Sequence, residues 1–421
     1  MRVVFKVKMA RKFIFILFIT LSSLFTTKTE AQTTAERSDS LVAAHLHATG
    51  VKLTDNNKVV LLMNGHDKFE DLFKEVRKAK KFIHLEYFNF RNDSIANLLF
   101  DLLAEKVKEG VEVRAMYDAF GNASNNKPIK KEHRDSIRAR GINLIEFDPL
   151  HFPWVNHIIP RDHRKIVVID GKVAYTGGMN VADYYITGTE VVGKWRDMHM
   201  HIEGAAVNEL HKIFATTWEK ETGEKIEGEK YFPTPDSAGN MRVGIVDRRP
   251  RHTNKSIREL YVSMLNNAKK QIRIINPYFV PTHKVRQALK DAVDRGVDVE
   301  IMLSAKSDIP LTPDASYYVG NNLSKRGAKV YLYEGGFHHT KIMMVDSLFC
   351  TVGSANLDSR SLRCDYEVNA VIFDKNVTKQ LLDMFNEDKK HSYIMPEDFW
   401  KKRSVWKRFV GWFGNLLTPV L

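Results

Sequence analysis

The feature that most constrains the fold of this chain is an internal repeat. Residues 79–88 and 268–279 both begin with Ala-Lys-Lys and continue as an apolar run. Further on, residues 110–113 and 296–299 each consist of a glycine followed by a short alternating segment, which predicts a strand after a helix. The same order of segments in both parts of the chain indicates one folding unit used twice.

Each copy alternates helix-period segments with strand-period segments, a pattern typical of helices packed over a sheet. We therefore predict the α/β class, with two similar halves, each a mixed sheet flanked by helices, forming one pseudo-twofold catalytic unit. The polar stretch 221–240 mixes Gly, Pro, Lys and Glu without hydrophobic periodicity and marks the boundary. This places the first half at residues 42–222 and the second at residues 241–396.

Both halves contain the motif His-x-Lys-x4-Asp. His163 and Lys165 lie two residues apart on a predicted strand, so their side chains project from the same face. Asp170 falls on the other face, which argues for a supporting carboxylate. Gly177 lets the backbone approach a ligand closely, and Asn180 adds an amide at the following turn. The second half repeats this pattern with His339, Lys341, Asp346, Gly353, Ser354 and Asn356.

Two His-Lys pairs suit the cleavage of a phosphodiester, which needs a nucleophile, a proton donor and fixed cations. One imidazole can attack phosphorus to form a phosphohistidine, while the other donates a proton to the departing alcohol. An ordinary histidine pKa of about 6.5 suits both roles near neutrality. We predict His163, Lys165, Asp170, His339, Lys341 and Asp346 as the catalytic set, with Asn180, Asn356, Gly177 and Ser354 supporting the phosphate.

The positive charge of the chain lies mostly at its two ends. Within a formal net charge of +13, residues 1–31 hold six basic residues against one acidic residue, and residues 399–421 hold five basic residues and no acidic one. The body keeps a net charge of only +3, which is weak for a protein that binds a nucleic-acid duplex. We therefore expect anionic phospholipids and a membrane surface as partners, no nucleic acid, and no obligatory protein partner.

Both ends also carry apolar segments. Residues 1–31 combine a basic start with a short apolar run, so they are predicted to be an export signal or a short membrane anchor. The positive-inside bias then places the rest of the chain on the periplasmic side of a membrane. Residues 397–421 are predicted to form an amphipathic helix, either an interfacial anchor or a helix docked on the body's own core.

Neither a metal nor another cofactor is expected. No cluster of carboxylates and histidines has ligand spacing. Cys350 and Cys364 lack zinc-ligand spacing and read as small buried hydrophobes, with a bridge left open for an oxidising compartment. The basic cluster that begins at Arg248 and Arg249 reads as a solvated loop, with headgroup binding as the alternative.

From about residue 48 onward, the chain resembles the phospholipase D superfamily, and bacterial cardiolipin synthases in particular. Besides the two motifs, the resemblance rests on residues 83–88, 195–197, 276–281 and 366–370. It implies that Asp197 and Glu367 orient the two motif histidines. It also implies that His163 is the nucleophile and His339 the proton donor.

The resemblance further implies a phosphatidyltransferase that joins two phosphatidylglycerols into cardiolipin and releases glycerol through a phosphohistidine. Three alternatives stay open: a phospholipase D that hydrolyses phospholipids to phosphatidic acid, a secreted phosphodiesterase or nuclease, and a non-enzymatic membrane-binding module. The chain departs from the family in one respect. Many cardiolipin synthases begin with two membrane spans, whereas this sequence begins with a single short apolar segment.

Overall fold

The computed structural model describes residues 38–151, 159–309 and 312–416. Its first half alternates strands and helices, and two of its central strands, residues 82–87 and 165–169, are short, mostly apolar and buried at every position. In chain order the elements are a helix over residues 38–48 (α1), β1 (Leu53–Leu62), α2 (Gly65–Lys78), β2 (Phe82–Tyr87), α3 (Ser94–Lys108), β3 (Glu112–Asp118), α4 (Ala119–Ala123), α5 (Lys131–Ala139), β4 (Asn143–Phe147), β5 (Lys165–Ile169), β6 (Val173–Gly177), α6 (Tyr184–Thr187), β7 (Trp195–Arg196), β8 (His199–Glu203) and α7 (Ala206–Thr222).

The second half follows the same alternation and adds elements at its carboxyl end. In chain order these are β9 (Met241–Arg248), α8 (Ser256–Asn267), β10 (Gln271–Ile275), α9 (His283–Asp294), β11 (Asp298–Ser304), α10 (Thr312–Ser324), β12 (Lys329–Tyr333), β13 (Phe337–His338), β14 (Ile342–Val345), β15 (Phe349–Gly353), α11 (Ser359–Arg363), β16 (Glu367–Phe373), α12 (Lys375–Lys389), β17 (Ser392–Ile394), α13 (Phe399–Lys402) and α14 (Val405–Leu416).

All the described strands except β7 and β13 form one sheet of 15 strands. The first half contributes the order β1-β8-β6-β5-β2-β3-β4, and the second half answers with β9-β16-β15-β14-β10-β11-β12, outside which β17 is added. The halves meet where β1 pairs antiparallel with β9. β2, β3 and β4 run parallel, as do β10, β11 and β12. This mirrored order confirms the predicted α/β fold with two similar halves.

Helices cover both faces of the sheet and enclose separate cores. α2 and α3 pack on one face of the first half, and α8 and α9 pack on one face of the second. α7 and α12 cover the opposite face, where a single apolar cluster crosses both halves. α1 departs from the predicted boundary, because its Val42 and Leu46 pack in the core of the second half.

The predictions for the two ends of the chain have different outcomes. The predicted export signal, residues 1–31, lies outside the described residues. The predicted single helix at the carboxyl end is instead two helices, α13 and α14, because the backbone is extended at Arg403. Along the described chain, no helix is both long and apolar enough to cross a membrane. Cys350 and Cys364 are both free thiols.

Candidate active site

The two motifs enter the site where antiparallel strands begin. Lys165 opens β5 and pairs with Tyr87 at the carboxyl end of β2. In the second half, β14 begins beside the end of β10, where Ile342 pairs with Ile275. Each motif therefore lies at the edge of the sheet where the parallel strands of its half end.

Short backbone pairings between the halves then place each motif histidine next to the other half. β13, just before His339, pairs in parallel with β7, which ends just before Asp197. On the other side, the backbone N–H of His163 donates to the carbonyl of Tyr366, the residue before Glu367, at 3.0 Å. Each motif histidine is thus placed beside an acidic residue that belongs to the opposite half.

The two histidines are held by crossed carboxylate contacts. His163 Nδ1 lies 3.0 Å from Glu367 Oε1, and His339 Nδ1 lies 2.7 Å from Asp197 Oδ2. Both carboxylates are buried. Because a carboxylate accepts hydrogen bonds, these contacts favour the tautomer in which Nδ1 carries the proton and Nε2 is left for chemistry. The two pairs are close enough that Lys341 lowers the pKa of His163, so the structure brings together the four residues that the resemblance places at the reacting centre.

The motif lysines add positive charge to the same space. Lys165 Nζ donates to the carbonyl of His163 at 2.5 Å, and Lys341 Nζ donates to the carbonyl of His339. Burial lowers the pKa of Lys165 to about 7 and that of Lys341 to about 8, although Glu367 and Asp197 act in the opposite direction. A bound phosphate would favour the charged form of both lysines.

Burial and the neighbouring lysines also determine the state of the histidines. Burial, followed by Lys341, lowers the pKa of His339 to about 4, and burial and Lys165 lower the pKa of His163. Burial alone would raise the pKa of each carboxylate. The nearby histidines and lysines nevertheless hold the pKa values of Asp197 and Glu367 below normal. The site without substrate therefore combines two carboxylates with neutral imidazoles.

The predicted supporting residues take different places. Asn180 and Asn356 are buried, and the Oδ1 atom of each has no hydrogen-bond partner in the described chain. Ser354 Oγ donates to Glu367, so it braces that carboxylate. Gly177 has a φ of 149°, and a Cβ there would lie 2.7 Å from the His199 ring. The two asparagines stay candidates for phosphate contact, while Ser354 and Gly177 shape the site around them.

The aspartates of the two motifs are the clearest correction to the predicted catalytic set. Asp170 accepts from the backbone N–H groups of Lys80, Lys81 and Phe82 at 2.7 to 2.9 Å. It follows the far end of β5, about 16 Å along the strand from Lys165 at roughly 3.3 Å per residue. Asp346 makes the equivalent contacts at the start of β10. Both aspartates tie strands together and lie away from the reacting groups.

Two buried basic residues near the site were not singled out by the motifs. Lys68 on α2 is fully buried, and its Nζ donates to the carbonyl of Asn180 at 2.8 Å. The sequence does contain a signal for this burial, because Lys68 lies four residues before Leu72 on the apolar face of the helix. Arg248, which the sequence suggests lies in a solvated loop, is instead buried at the end of β9 and paired in register with Glu367.

The described residues contain no group of three or more His, Cys, Asp or Glu side chains able to hold a metal ion. The motif residues themselves include imidazoles that could act as nucleophile and proton donor, and lysines that could carry positive charge. Two histidine-lysine motifs on duplicated α/β halves, each histidine paired with a carboxylate, define a phospholipase D-like site.

Comparison with known proteins places the chain within that class. Residues 72–218 and 261–389 match the family model described as cardiolipin synthase, PLD-like domain. A cardiolipin synthase of Listeria monocytogenes is 36% identical over 375 residues, which cover 88% of this chain and 77% of that protein. A probable cardiolipin synthase of Bacillus subtilis is 37% identical over 387 residues, 91% of this chain and 75% of that one. The chain therefore belongs to the cardiolipin synthase family.

A solved structure supports the fold independently. The phosphatidylserine synthase of Haemophilus influenzae superposes with a TM-score of 0.65 and covers 92% of this chain and 100% of its own. Its sequence is only 14% identical, so the likeness concerns the fold alone.

Proposed function

We propose that this protein is a phosphatidyltransferase that joins two phosphatidylglycerol molecules into cardiolipin and releases glycerol. The observation that carries the proposal is the pair of crossed contacts, His163 with Glu367 and His339 with Asp197, within one chain of the cardiolipin synthase family. This arrangement provides a nucleophile and a proton donor without any further group.

In the first step, His163 Nε2 attacks the phosphorus of one phosphatidylglycerol. The bond from phosphorus to the glycerol oxygen breaks, and protonated His339 gives its proton to that oxygen, so glycerol leaves. The phosphatidyl group is then bound to His163, whose positive charge is balanced by Glu367 at 3.0 Å. Lys165 and Lys341 stabilise the negative charge on the non-bridging oxygens.

In the second step, the glycerol hydroxyl of another phosphatidylglycerol takes the place of the first leaving group. His339, now neutral, accepts the proton of that hydroxyl as its oxygen attacks phosphorus. The bond between phosphorus and His163 breaks, which forms cardiolipin and restores both histidines. If water were the acceptor, the same step would release phosphatidic acid.

The order of the two histidines is part of the proposal and follows the family resemblance. The His163 side chain is 16% exposed and the His339 side chain 8%, so the first is more open to a bulky lipid phosphate. Phosphate bound between the two rings would raise the pKa of His339 and so favour the protonated donor. Rapid quenching with labelled phosphatidylglycerol and peptide mapping should find the label on the peptide that contains His163. A label on the peptide with His339 would reverse the order.

The reaction itself is tested by a product assay. Full-length enzyme in detergent, given labelled phosphatidylglycerol, should form cardiolipin and free glycerol in equal amounts. His163→Ala should abolish both products, while Lys74→Met, an exposed change on α2, should leave them unaltered. Phosphatidic acid as the sole lipid product would favour hydrolysis, and plasmid cleavage without lipid turnover would favour a nuclease.

We further propose that the catalytic halves act at a membrane surface on its periplasmic side. The basic, apolar start of the sequence supports this location, since such segments direct the remainder of a chain across the inner membrane. In spheroplasts, added protease should degrade the protein without lysis. Protection until the cells are lysed would place it on the cytoplasmic side.

A further inference from the structure

The last helix of the described chain docks on the body through its small and polar residues. α14 packs against α10, and a Cβ at Gly411 would lie 2.5 Å from the backbone oxygen of Asp314. Gly414 lies against Ala315 in the same way. The buried side of α14 is therefore the side without large apolar groups.

The large apolar side chains of α14 point the other way. They form a continuous strip in which Phe409 contacts three neighbouring rings, with centroids 5.8 to 6.0 Å apart. We call this strip the aromatic face. It consists of Val405, Trp406, Phe409, Trp412 and Phe413, which are 78%, 68%, 47%, 45% and 45% exposed.

This orientation is the reverse of the one that the hydrophobic effect favours for a helix in water. An amphipathic helix on a globular body normally turns its apolar side inward, because burial removes apolar surface from water. Here the apolar side is presented outward on a helix that is fixed in place by close contacts at Gly411. A contiguous exposed apolar patch of this kind indicates a surface that meets another apolar phase.

The helix on which α14 docks follows, in the chain, a segment that contacts the active site. α10, on which α14 docks, follows the segment that contains Asp308. Asp308 accepts a hydrogen bond from Tyr278 at 2.6 Å, and the Tyr278 ring lies 5.9 Å from the His339 ring. Ile309, beside Asp308, is itself 45% exposed. The segment that precedes α10 in the chain thus contacts a ring beside His339.

The charged residues around the aromatic face indicate which kind of partner it contacts. Lys401, Lys402, Lys407 and Arg408 are all exposed, and residues 399–416 contain no acidic side chain. Tryptophan together with basic residues suits the boundary of an anionic bilayer, where rings enter and cations meet headgroups. A second copy of the chain fits less well, because it would bring two sets of like charges together.

We infer that the aromatic face of α14 inserts into the surface of an anionic bilayer and so holds the enzyme at the membrane that contains its lipid substrate. The inference rests on the proposed function in one respect, namely that the substrate is a lipid drawn from that bilayer. Insertion itself depends only on α14.

Tryptophan fluorescence of the full-length protein tests the insertion. Residues 1–31 contain no tryptophan, so quenching by brominated acyl chains in phosphatidylglycerol vesicles does not report on that segment. We expect strong quenching in the native protein and loss of most of it in the variant W406F/W412F. Equal quenching in both proteins would overturn the inference.

A second pair of variants separates insertion from catalysis. Phe409→Ser with Trp412→Ser should weaken activity on phosphatidylglycerol vesicles about tenfold or more, since two inserted rings are lost. Activity on a short-chain phosphatidylglycerol, dissolved below its micelle concentration, should be unchanged. The matched control, Val60→Ser with Leu98→Ser, removes two other exposed apolar groups from the first half and should retain activity on both substrates.

Each remaining outcome has a distinct meaning. If the native protein lacks activity on both substrates yet shows quenching, the proposed function fails and insertion stands. If Phe409→Ser with Trp412→Ser leaves vesicle activity intact, the aromatic face does not hold the enzyme at its substrate, and the inference is overturned. If it instead converts a dimer to a monomer in light scattering, with vesicle activity intact, the aromatic face is a contact between two copies.

Discussion

At the scale of single residues, burial lowers the pKa of both motif histidines, and two neighbours of opposite charge then act on each ring. Lys165 lowers the pKa of His163, and Glu367 raises it. Lys341 lowers the pKa of His339, and Asp197 raises it. Each ring therefore has the same kinds of neighbours, a lysine and a carboxylate. The proposed roles nevertheless require a neutral His163 and a protonated His339.

This difference predicts how pH dependence responds to loss of each carboxylate. In E367Q the pKa of His163 should fall, and because a nucleophile must be neutral, the acidic limb of the kcat/KM profile should move to lower pH. In D197N the pKa of His339 should fall, and because a donor must be protonated, the basic limb should move to lower pH. Both variants should also lose roughly 10²-fold or more in kcat.

Full pH profiles of kcat/KM for the native enzyme and both variants provide the measurement. If E367Q moved the basic limb and D197N the acidic one, the order of the histidines would be the reverse of the proposal. Unmoved limbs in both variants would mean that neither histidine is the titrating group.

Lys68 allows a further prediction at the residue scale. In K68M the carbonyl of Asn180 loses its buried donor, so the free energy of unfolding should fall by about 1–3 kcal/mol. Burial lowers the pKa of Lys68 well below its ordinary value, and a bound phosphate would favour its charged form, so K68M should also raise KM. Denaturant unfolding and steady-state kinetics measure the two effects, with K74M on the same helix as an exposed control. A KM equal to that of K74M would limit Lys68 to a structural role.

Part of the site could be predicted from the sequence. The histidines, lysines and asparagines of the motifs recur in register, so strand parity alone placed His163 and Lys165 together. Arg248 could not be placed, because its burial depends on the pairing of β9 with β16, more than a hundred residues further on. The distance of Asp170 from the site could, by contrast, be predicted, because the five residues of β5 separate Asp170 from the site.

At the scale of elements, the motif aspartates act as ties between strands. Asp346 accepts three backbone N–H groups at the start of β10, and the backbone at Asp346 itself has a φ of 52°. These bonds fasten the turn after β14 to the neighbouring strand. They account for a carboxylate at this position without any part in the reaction.

Asp346→Ala should therefore reduce stability far more than the rate of reaction. Leaving buried backbone donors without an acceptor should cost about 2–4 kcal/mol. The residual kcat of folded protein should stay within about tenfold of the native value, unlike the loss expected for His163→Ala. Thermal unfolding and kinetics below the transition measure both, with Asp383→Ala on the surface of α12 as the control. Native stability with kcat lost would restore Asp346 to the catalytic set.

The sequence predicts more of the order of the elements than of the contacts between them. Hydrophobic periodicity identifies the repeat and the α/β alternation, because both are local properties of the chain. The pairing of β7 with β13 involves two residues on each side and no periodic pattern, so it cannot be seen in the sequence. The break between α13 and α14 escapes for a similar reason, since Arg403 contacts Asp314 on α10 and no proline or glycine marks the break.

At the scale of the whole molecule, the two halves share one sheet, one apolar cluster and one site. The central pairing of β1 with β9 joins them, and Arg164 of the first half reaches Asp247 of the second. The carboxylate of each catalytic pair comes from the opposite half. Neither half can therefore complete a histidine-carboxylate pair by itself, and a single chain holds everything that the proposed reaction needs.

A mixing experiment tests whether the site is complete within one chain. H163A retains His339 and Asp197, whereas H339A retains His163 and Glu367, so neither variant has both reacting rings. If each chain forms its own site, an equimolar mixture should show no more cardiolipin formation than the two variants measured alone. A mixture of H163A with native enzyme provides the reference and should give half the native rate at equal total protein. Activity that appears only on mixing H163A with H339A would mean that halves from two chains combine in one site.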